Sequence, residues 1–65
     1  MTLGDLYRYS KYEQIFKVFS ESSLASGNVD PLFKGKLSDC TIELFDEIID
    51  YISAKDNEII VIICI

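Results

Sequence analysis

Residues 58–65, Glu-Ile-Ile-Val-Ile-Ile-Cys-Ile, form the most strongly patterned segment of the 65-residue chain. β-Branched residues dominate this segment and favour a strand, and no charge, proline or glycine interrupts the seven residues after Glu58. A strand of this composition at a sheet edge is an aggregation hazard. We therefore expect it to be central in the sheet, covered on both faces, or used for self-association through Ile59, Val61 and Ile63.

The segment before this strand predicts a hairpin. Residues 48–54 are rich in isoleucine and tyrosine, a composition typical of strands. Residues 55–57, Lys-Asp-Asn, are typical of a turn. Residues 48–54 and 58–65 are therefore predicted to pair with each other.

The N-terminal part predicts a helix followed by a strand. Residues 2–9 are expected to form a short helix that Thr2 caps, with Asp5 in its first turn. Residues 12–20 contain Ile-Phe-Lys-Val-Phe, whose aromatic and β-branched side chains favour a strand. Their apolar spacing also fits a helix, which would remove one hairpin and change the open face of the sheet.

The middle of the chain predicts a loop, a strand and an acidic helix. Residues 20–30 are rich in serine and contain Ser-Gly-Asn, which indicates a loop with a turn. Pro31 then opens a second strand, in which Lys34 and Lys36 lie on the side opposite the apolar residues. Ser-Asp at 38–39 is a helix-start signal, and residues 41–47 are predicted to be helical.

These elements predict one small α+β domain over residues 1–65. The predicted order is α-β-β-α-β-β, with an antiparallel meander sheet and the helices on one face. A chain of this length buries only about 60% of its unfolded surface. Because little chain is left to cover the other face, we expect either a homodimer or burial of the sheet against a partner.

Acidic residues are concentrated in the C-terminal part. The whole chain has a net charge of −5, and residues 39–65 carry seven acidic side chains against Lys55 alone. If the helix ran on to residue 50, four of the carboxylates would form one stripe about 5–6 Å apart, comparable to phosphates along a nucleic-acid strand. The alternative is the ordinary solvated face of an amphipathic helix. The candidate protein-binding acidic residues are Asp39, Glu43, Asp46, Glu47 and Asp50.

A basic and aromatic stretch lies near the N-terminus. Residues 7–12 are Tyr-Arg-Tyr-Ser-Lys-Tyr. Tyrosine and arginine are enriched at protein-binding hot spots, and half-buried structural tyrosines are the alternative. Tyr7, Arg8, Tyr9 and Tyr12 are therefore candidate protein-binding residues, whereas the acidic net charge argues against direct nucleic-acid binding.

Several functional classes find no support in the sequence. The chain has no histidine, no G-x-S-x-G motif and no phosphate-binding glycine loop, so no enzyme activity is expected. Two cysteines, Cys40 and Cys64, do not complete a zinc site, and the acidic residues do not match a calcium loop; no metal or cofactor is expected. We expect free thiols, with a disulfide between Cys40 and Cys64 as the alternative. We also expect no signal peptide, no membrane association and a cytoplasmic protein.

Three segments carry a resemblance to a known group of proteins. They are residues 2–6, Thr-Leu-Gly-Asp-Leu; residues 32–39, Leu-Phe-Lys-Gly-Lys-Leu-Ser-Asp; and residues 50–57, Asp-Tyr-Ile-Ser-Ala-Lys-Asp-Asn. With them the chain resembles short, acidic, uncharacterised proteins of phages and mobile elements of Gram-positive bacteria. It departs from that pattern in the serine-rich segment 20–30 and at Cys40-Thr41. The resemblance implies a setting in which small acidic proteins often inhibit defence proteins, as anti-CRISPR proteins do.

Two functions follow as expectations. The first is a non-enzymatic inhibitor or accessory factor that docks an acidic surface on a larger protein, of the kind that handles nucleic acid. The second is a homo-oligomeric structural or regulatory module that uses the C-terminal strand as its interface.

Overall fold

A computed structural model describes residues 1–9 and 13–65 of the chain. Its elements are α1 (Leu3–Tyr9), β1 (Ile15–Ser20), α2 (Glu21–Ala25), β2 (Phe33–Lys36), the short 3-10 helices η1 (Leu37–Asp39) and η2 (Ile42–Asp46), β3 (Ile49–Lys55) and β4 (Glu58–Ile63). The α+β class is confirmed. Tyr12, predicted as a binding residue and as the start of a strand, lies outside the described residues.

The four strands form one mixed sheet in the order β2-β1-β4-β3. β2 and β3 are antiparallel to their neighbours, but β1 pairs with β4 in parallel, from Ile15 opposite Glu58 to Ser20 opposite Ile63. The predicted antiparallel meander is therefore wrong. Of the three alternatives for the last strand, the structure has the central position, and the predicted hairpin of β3 with β4 is confirmed.

Parallel pairing places β4 between two strands and satisfies its main chain on both sides. The chain crosses from β2 to β3 through η1 and η2, and only then makes the hairpin that lays β4 beside β1. A meander would pair strands in chain order and leave the most apolar strand at an edge, where it invites aggregation. Burial of β4 thus accounts for the mixed topology.

The first helix begins as the sequence predicts. The Thr2 hydroxyl accepts a hydrogen bond from the Asp5 N–H at 3.2 Å, and the Asp5 carboxylate accepts one from the Thr2 N–H at 3.0 Å. This reciprocal arrangement satisfies two main-chain donors at the helix start. The Thr2 N–H also lowers the pKa of the Asp5 carboxyl from its ordinary value, so that Asp5 is charged at neutral pH.

A short helix occupies part of the segment that was predicted to be a loop. The Ser20 hydroxyl accepts a hydrogen bond from the Ser23 N–H at 3.3 Å and caps α2. The same hydroxyl donates to the main-chain oxygen of Ile65 at 2.6 Å, and the Ser22 hydroxyl donates to that oxygen at 2.8 Å. The serines therefore tie the end of the chain to the end of β1.

The predicted acidic helix over residues 41–47 is a single short 3-10 segment, η2, instead. η2 spans five residues and is preceded by Thr41, whose side chain makes no capping hydrogen bond. Helices this short are marginal in water, and 3-10 geometry is common in such short pieces. Repulsion between Glu43 and Glu47 at i, i+4 further disfavours a regular helix.

The core lies on one face of the sheet. Among residues 1–9 and 13–65, its buried hydrophobic side chains are Leu3, Phe16, Val18, Leu37, Val61 and Ile63. α1, η1 and η2 cover this face, with Leu6, Cys40, Leu44 and Phe45 packed against the buried residues. We call these three elements the covering layer.

The burial of β4 corrects the predicted self-association residues. Val61 and Ile63 are completely buried, and Ile59 packs against the core. They face the covering layer and are not available to a second copy in this fold. Because alternate residues of a strand point to opposite faces, Ile60 and Ile62 are the β4 residues on the other side.

No helix within the described ranges is long and apolar enough to cross a membrane.

The turn between β3 and β4 provides a test of the hairpin. Asp56 and Asn57 have φ values of 53° and 65°, the pair of positive values that a type I′ turn requires. Replacing Asn57 with Gly should preserve or raise stability, because Gly adopts positive φ without strain. Replacing Asn57 with Val should lower the free energy of unfolding by roughly 1–2 kcal/mol. Urea denaturation of the two variants checks this difference, and equal stabilities would contradict the turn geometry.

Candidate functional site

The covering layer is held together by a close approach of α1 to η2. A methyl group added at Gly4 would lie 3.2 Å from the main-chain oxygen of Phe45, so the helix start leaves little room for a larger residue. One turn later Tyr7 stacks on Phe45, with ring centroids 5.3 Å apart and planes inclined by 24°. Gly4 therefore permits the packing that places Tyr7 against η2.

A shallow hollow of about 510 Å³ lies between these two elements. Two groups that the sequence predicted separately meet there, because Tyr7 and Arg8 line it from α1 and Asp46 lines it from η2. The remaining lining residues are Thr2, Gly4, Asp5, Ile42 and Phe45. The hollow thus combines carboxylates with aromatic and aliphatic surface.

The structure does not form the predicted acidic stripe. Asp39 belongs to η1, Glu43 and Asp46 belong to η2, and Asp50 lies on β3. These four side chains are exposed and Glu47 is half-buried. Because the helix ends at Asp46, the regular spacing expected for a helix that continues to residue 50 is absent.

A smaller acidic surface remains on η1 and η2. Ile42, whose side chain is 76% exposed, lies on η2 with the exposed Glu43 and Asp46, and the exposed Asp39 ends η1 three residues before it. We call these four residues the acidic ridge. Two ion pairs are found among the described residues, and Glu58 forms both of them, one with Lys17 and one with Lys34. None of the ridge carboxylates therefore forms an ion pair with a lysine or arginine of the described residues.

The structure places the candidate aromatic residues of α1 in two different environments. Tyr7 is 37% exposed and Tyr9 is 84% exposed, so the two tyrosines belong to different environments. Tyr7 and Arg8 border the hollow, whereas Tyr9 ends α1 and is not among the residues that line it. Tyr9 remains a candidate contact residue beside the hollow.

Five residues that line the hollow were not predicted as binding residues, namely Thr2, Gly4, Asp5, Ile42 and Phe45. Asp5 was assigned only to the helix cap, and Ile42 and Phe45 were not assigned to a binding surface. For Ile42 no signal was available, since an isoleucine in an amphipathic segment ordinarily packs inward. The 3-10 geometry of η2 turns it outward instead.

The sequence predicts an uncovered second face of the sheet but does not identify its residues. This face lies opposite the core and consists of Ile15, Lys17, Phe19, Lys34, Lys36, Tyr51, Ser53, Lys55, Glu58, Ile60 and Ile62, as the strand pairing requires. None of these residues belongs to the core cluster or to the side chains packed against it. We call this surface the second face.

No family model, curated protein or solved structure matches this chain. The resemblance to proteins of phages and mobile elements therefore stays a prediction. The function proposed for this chain therefore rests on its own residues and their geometry.

One cluster combines a thiol with carboxylates. Glu21, Asp50 and Cys64 each place a potential ligand atom within 4.8 Å of the others, and all three residues are exposed. A thiolate and two carboxylates are donors that a zinc-like cation accepts, but exposed acidic groups commonly lie this close without an ion. Desolvation and the negative charges of Asp50 and Glu21 raise the pKa of the Cys64 thiol.

The two cysteines are not joined by a disulfide in the structure. Cys40 is half-buried and Cys64 is exposed, and the structure records both as unpaired. Burial also raises the pKa of the Cys40 thiol. Since the thiolate is the reactive form, both cysteines should react slowly at neutral pH despite the exposure of Cys64.

Alkylation kinetics test the electrostatic environment of Cys64. The substitution Asp50→Asn removes one negative charge and should lower the pKa of the Cys64 thiol, so that iodoacetamide labels it faster near pH 8. Glu43→Gln is the matched control, because Glu43 is not among the carboxylates that act on Cys64. Mass spectrometry distinguishes Cys64 from Cys40. Equal rates in the two variants would contradict this account.

Proposed function

We propose that this chain is a non-enzymatic protein-binding module that docks the acidic ridge and the adjoining hollow on a basic surface of a larger protein. The observation that carries the proposal is the meeting of Tyr7, Arg8 and Asp46 in one hollow beside exposed carboxylates. Aromatic anchors next to uncompensated charge are typical of protein-binding surfaces.

The chemistry of the hollow favours a cationic side chain of the partner. Asp5 and Asp46 contribute carboxylates to its lining, and the paired rings of Tyr7 and Phe45 supply a flat apolar wall. A lysine or arginine can lay its aliphatic stem on such a wall while its charged end meets a carboxylate. Arg8 offsets part of the negative charge and favours acidic groups at the edge of the partner surface.

The ridge supplies attraction at longer range. Its three carboxylates lie on the covering layer and form no ion pair with a lysine or arginine of the described residues, and the chain has a net charge of −5. Charges of one sign on an exposed surface speed association with an oppositely charged partner and make it sensitive to salt. Ile42, in the middle of the ridge, adds an apolar contact that salt does not weaken.

A partner with a basic groove is the kind that handles nucleic acid. The resemblance to small proteins of phages and mobile elements supports an inhibitor that occupies such a groove in the cytoplasm. The irregular positions of the carboxylates do not reproduce the phosphate spacing along a strand. Our proposal is therefore charge competition for the groove and not a structural copy of nucleic acid.

A capture experiment with paired variants tests this function. The tagged chain is incubated with lysate of its own host cell, and the retained proteins are identified by mass spectrometry at rising salt. We expect a partner that is bound by the wild type and lost at high salt. Glu43→Gln with Asp46→Asn should weaken binding of the purified partner by about tenfold or more.

The matched control carries two neutralised charges on the opposite side of the sheet. Lys34→Gln with Lys36→Gln should retain the partner, because both lysines lie on β2 away from the covering layer. A partner that both double variants bind as tightly as the wild type would contradict docking through the ridge. A partner lost only with the lysine variant would assign docking to the second face.

A further inference from the structure

The second face has an apolar centre and basic edges, although the chain as a whole is acidic. Phe19, Ile60 and Ile62 lie together on the two central strands and are half-buried. Tyr51 pairs with Ile62 from β3 and is 47% exposed. Four of the six basic residues of the chain lie on this face, namely Lys17, Lys34, Lys36 and Lys55.

One carboxylate partly balances these lysines. Glu58 lies 3.5 Å from the ammonium of Lys17 and 3.8 Å from that of Lys34. Neither ion pair involves Lys36 or Lys55, which stand on opposite edge strands. The second face therefore has a net positive charge. A surface that complements it is acidic and has an exposed apolar side chain.

The acidic ridge has that chemistry and lies on the other side of the same molecule. η2 packs Leu44 and Phe45 towards the core, which occupies the face of the sheet opposite the second face. Ile42, 76% exposed, is directed away from that core and belongs to the covering layer, as do the exposed Asp39, Glu43 and Asp46. The two surfaces thus match in charge and in apolar character, and their separation prevents them from meeting within one chain.

We propose that the second face of one copy binds the acidic ridge of another copy, head to tail. In this arrangement Ile42 contacts the apolar centre around Ile60 and Ile62, while the carboxylates of the ridge face Lys34, Lys36 and Lys55. Because the contact joins two different surfaces, each copy can bind two neighbours, and the assembly grows until a copy with one blocked surface ends it.

The size of the second face sets the strength of this contact. Four strands about 4.8 Å apart, each four to seven residues long, give a patch of roughly 20 Å by 20 Å. This area is at the small end for specific interfaces, so the association is weak and depends on protein concentration. Its ionic component makes it sensitive to salt.

Self-association of this kind goes beyond the proposed binding of a larger protein and does not depend on it. Both contacts use the acidic ridge, so a copy whose ridge is covered by a neighbour is not free to bind the larger protein. The two proposals can be distinguished by experiment. A salt-sensitive partner without self-association would support the protein-binding function and contradict the head-to-tail contact. Self-association without a partner would support the head-to-tail contact and contradict the protein-binding function.

Sedimentation velocity of the purified full chain tests the contact over a wide concentration range at about 0.05 M and about 0.5 M salt. We expect the average mass to rise with concentration at low salt and to fall to that of the monomer at high salt. Lys34→Gln with Lys36→Gln and Glu43→Gln with Asp46→Asn should each weaken association by about tenfold. Asp30→Asn is the control for net charge and should associate as the wild type does.

Mixing the two double variants gives the decisive result. The lysine variant keeps an intact ridge and the acidic variant keeps an intact second face, so an equimolar mixture should form a one-to-one dimer that does not grow. Circular dichroism confirms that each variant is folded. Ile42→Ser provides an independent substitution at an exposed position and should weaken association in the same way.

Three results would overturn the proposal. A monomer under every condition would exclude the contact. A dimer that Glu43→Gln with Asp46→Asn leaves unchanged would show two second faces packed against each other. Binding of a labelled thymidine oligonucleotide by a monomeric wild type, lost with the lysine variant, would assign the second face to a nucleic-acid strand.

Discussion

The parallel pairing of β1 with β4 is the constraint on which the rest of the structure depends. It joins the most apolar strand of the chain to a strand from the N-terminal half, with six residue pairs in register. β4 then has a neighbour on each side, and β2 and β3 become the edges. The edge strand β2 carries Lys34 and Lys36, which protect it from unwanted pairing.

Central placement of β4 also separates the molecule into two chemically different sides. Val61 and Ile63 point to the core under the covering layer, and Ile60 and Ile62 point to the second face. The covering layer carries the exposed carboxylates of the acidic ridge, and the second face carries most of the lysines. The functional proposals follow from this division, because each side offers an apolar contact surrounded by charge of one sign.

Local signals in the sequence predicted local structure well. Thr2 and Asp5 cap α1, and Asp56 and Asn57 form the turn of the β3–β4 hairpin, because neighbouring residues supply all the necessary contacts.

The parallel β1–β4 pair depends on residues more than 40 positions apart, for which spacing gives no signal. The continuous apolar run of β4 has no alternation to distinguish its faces. Val61 and Ile63 were therefore predicted to mediate self-association, whereas in the structure Ile60 and Ile62 lie on the second face. Tyr7, Arg8 and Asp46 were selected from their chemistry, but only the packing of α1 on η2 brings them into one hollow.

The two faces of β4 differ in burial, and one pair of variants tests this difference directly. Ile62→Lys and Ile63→Lys place the same charge at adjacent positions, one on the half-exposed second face and one in the completely buried core. Urea denaturation should show a folded Ile62→Lys protein, whereas Ile63→Lys should lose roughly 3 kcal/mol or more of unfolding free energy, or not fold, because a buried charge has no partner there. Equal losses, or a greater loss for Ile62→Lys, would contradict the register of β4 and the two-sided molecule built on it.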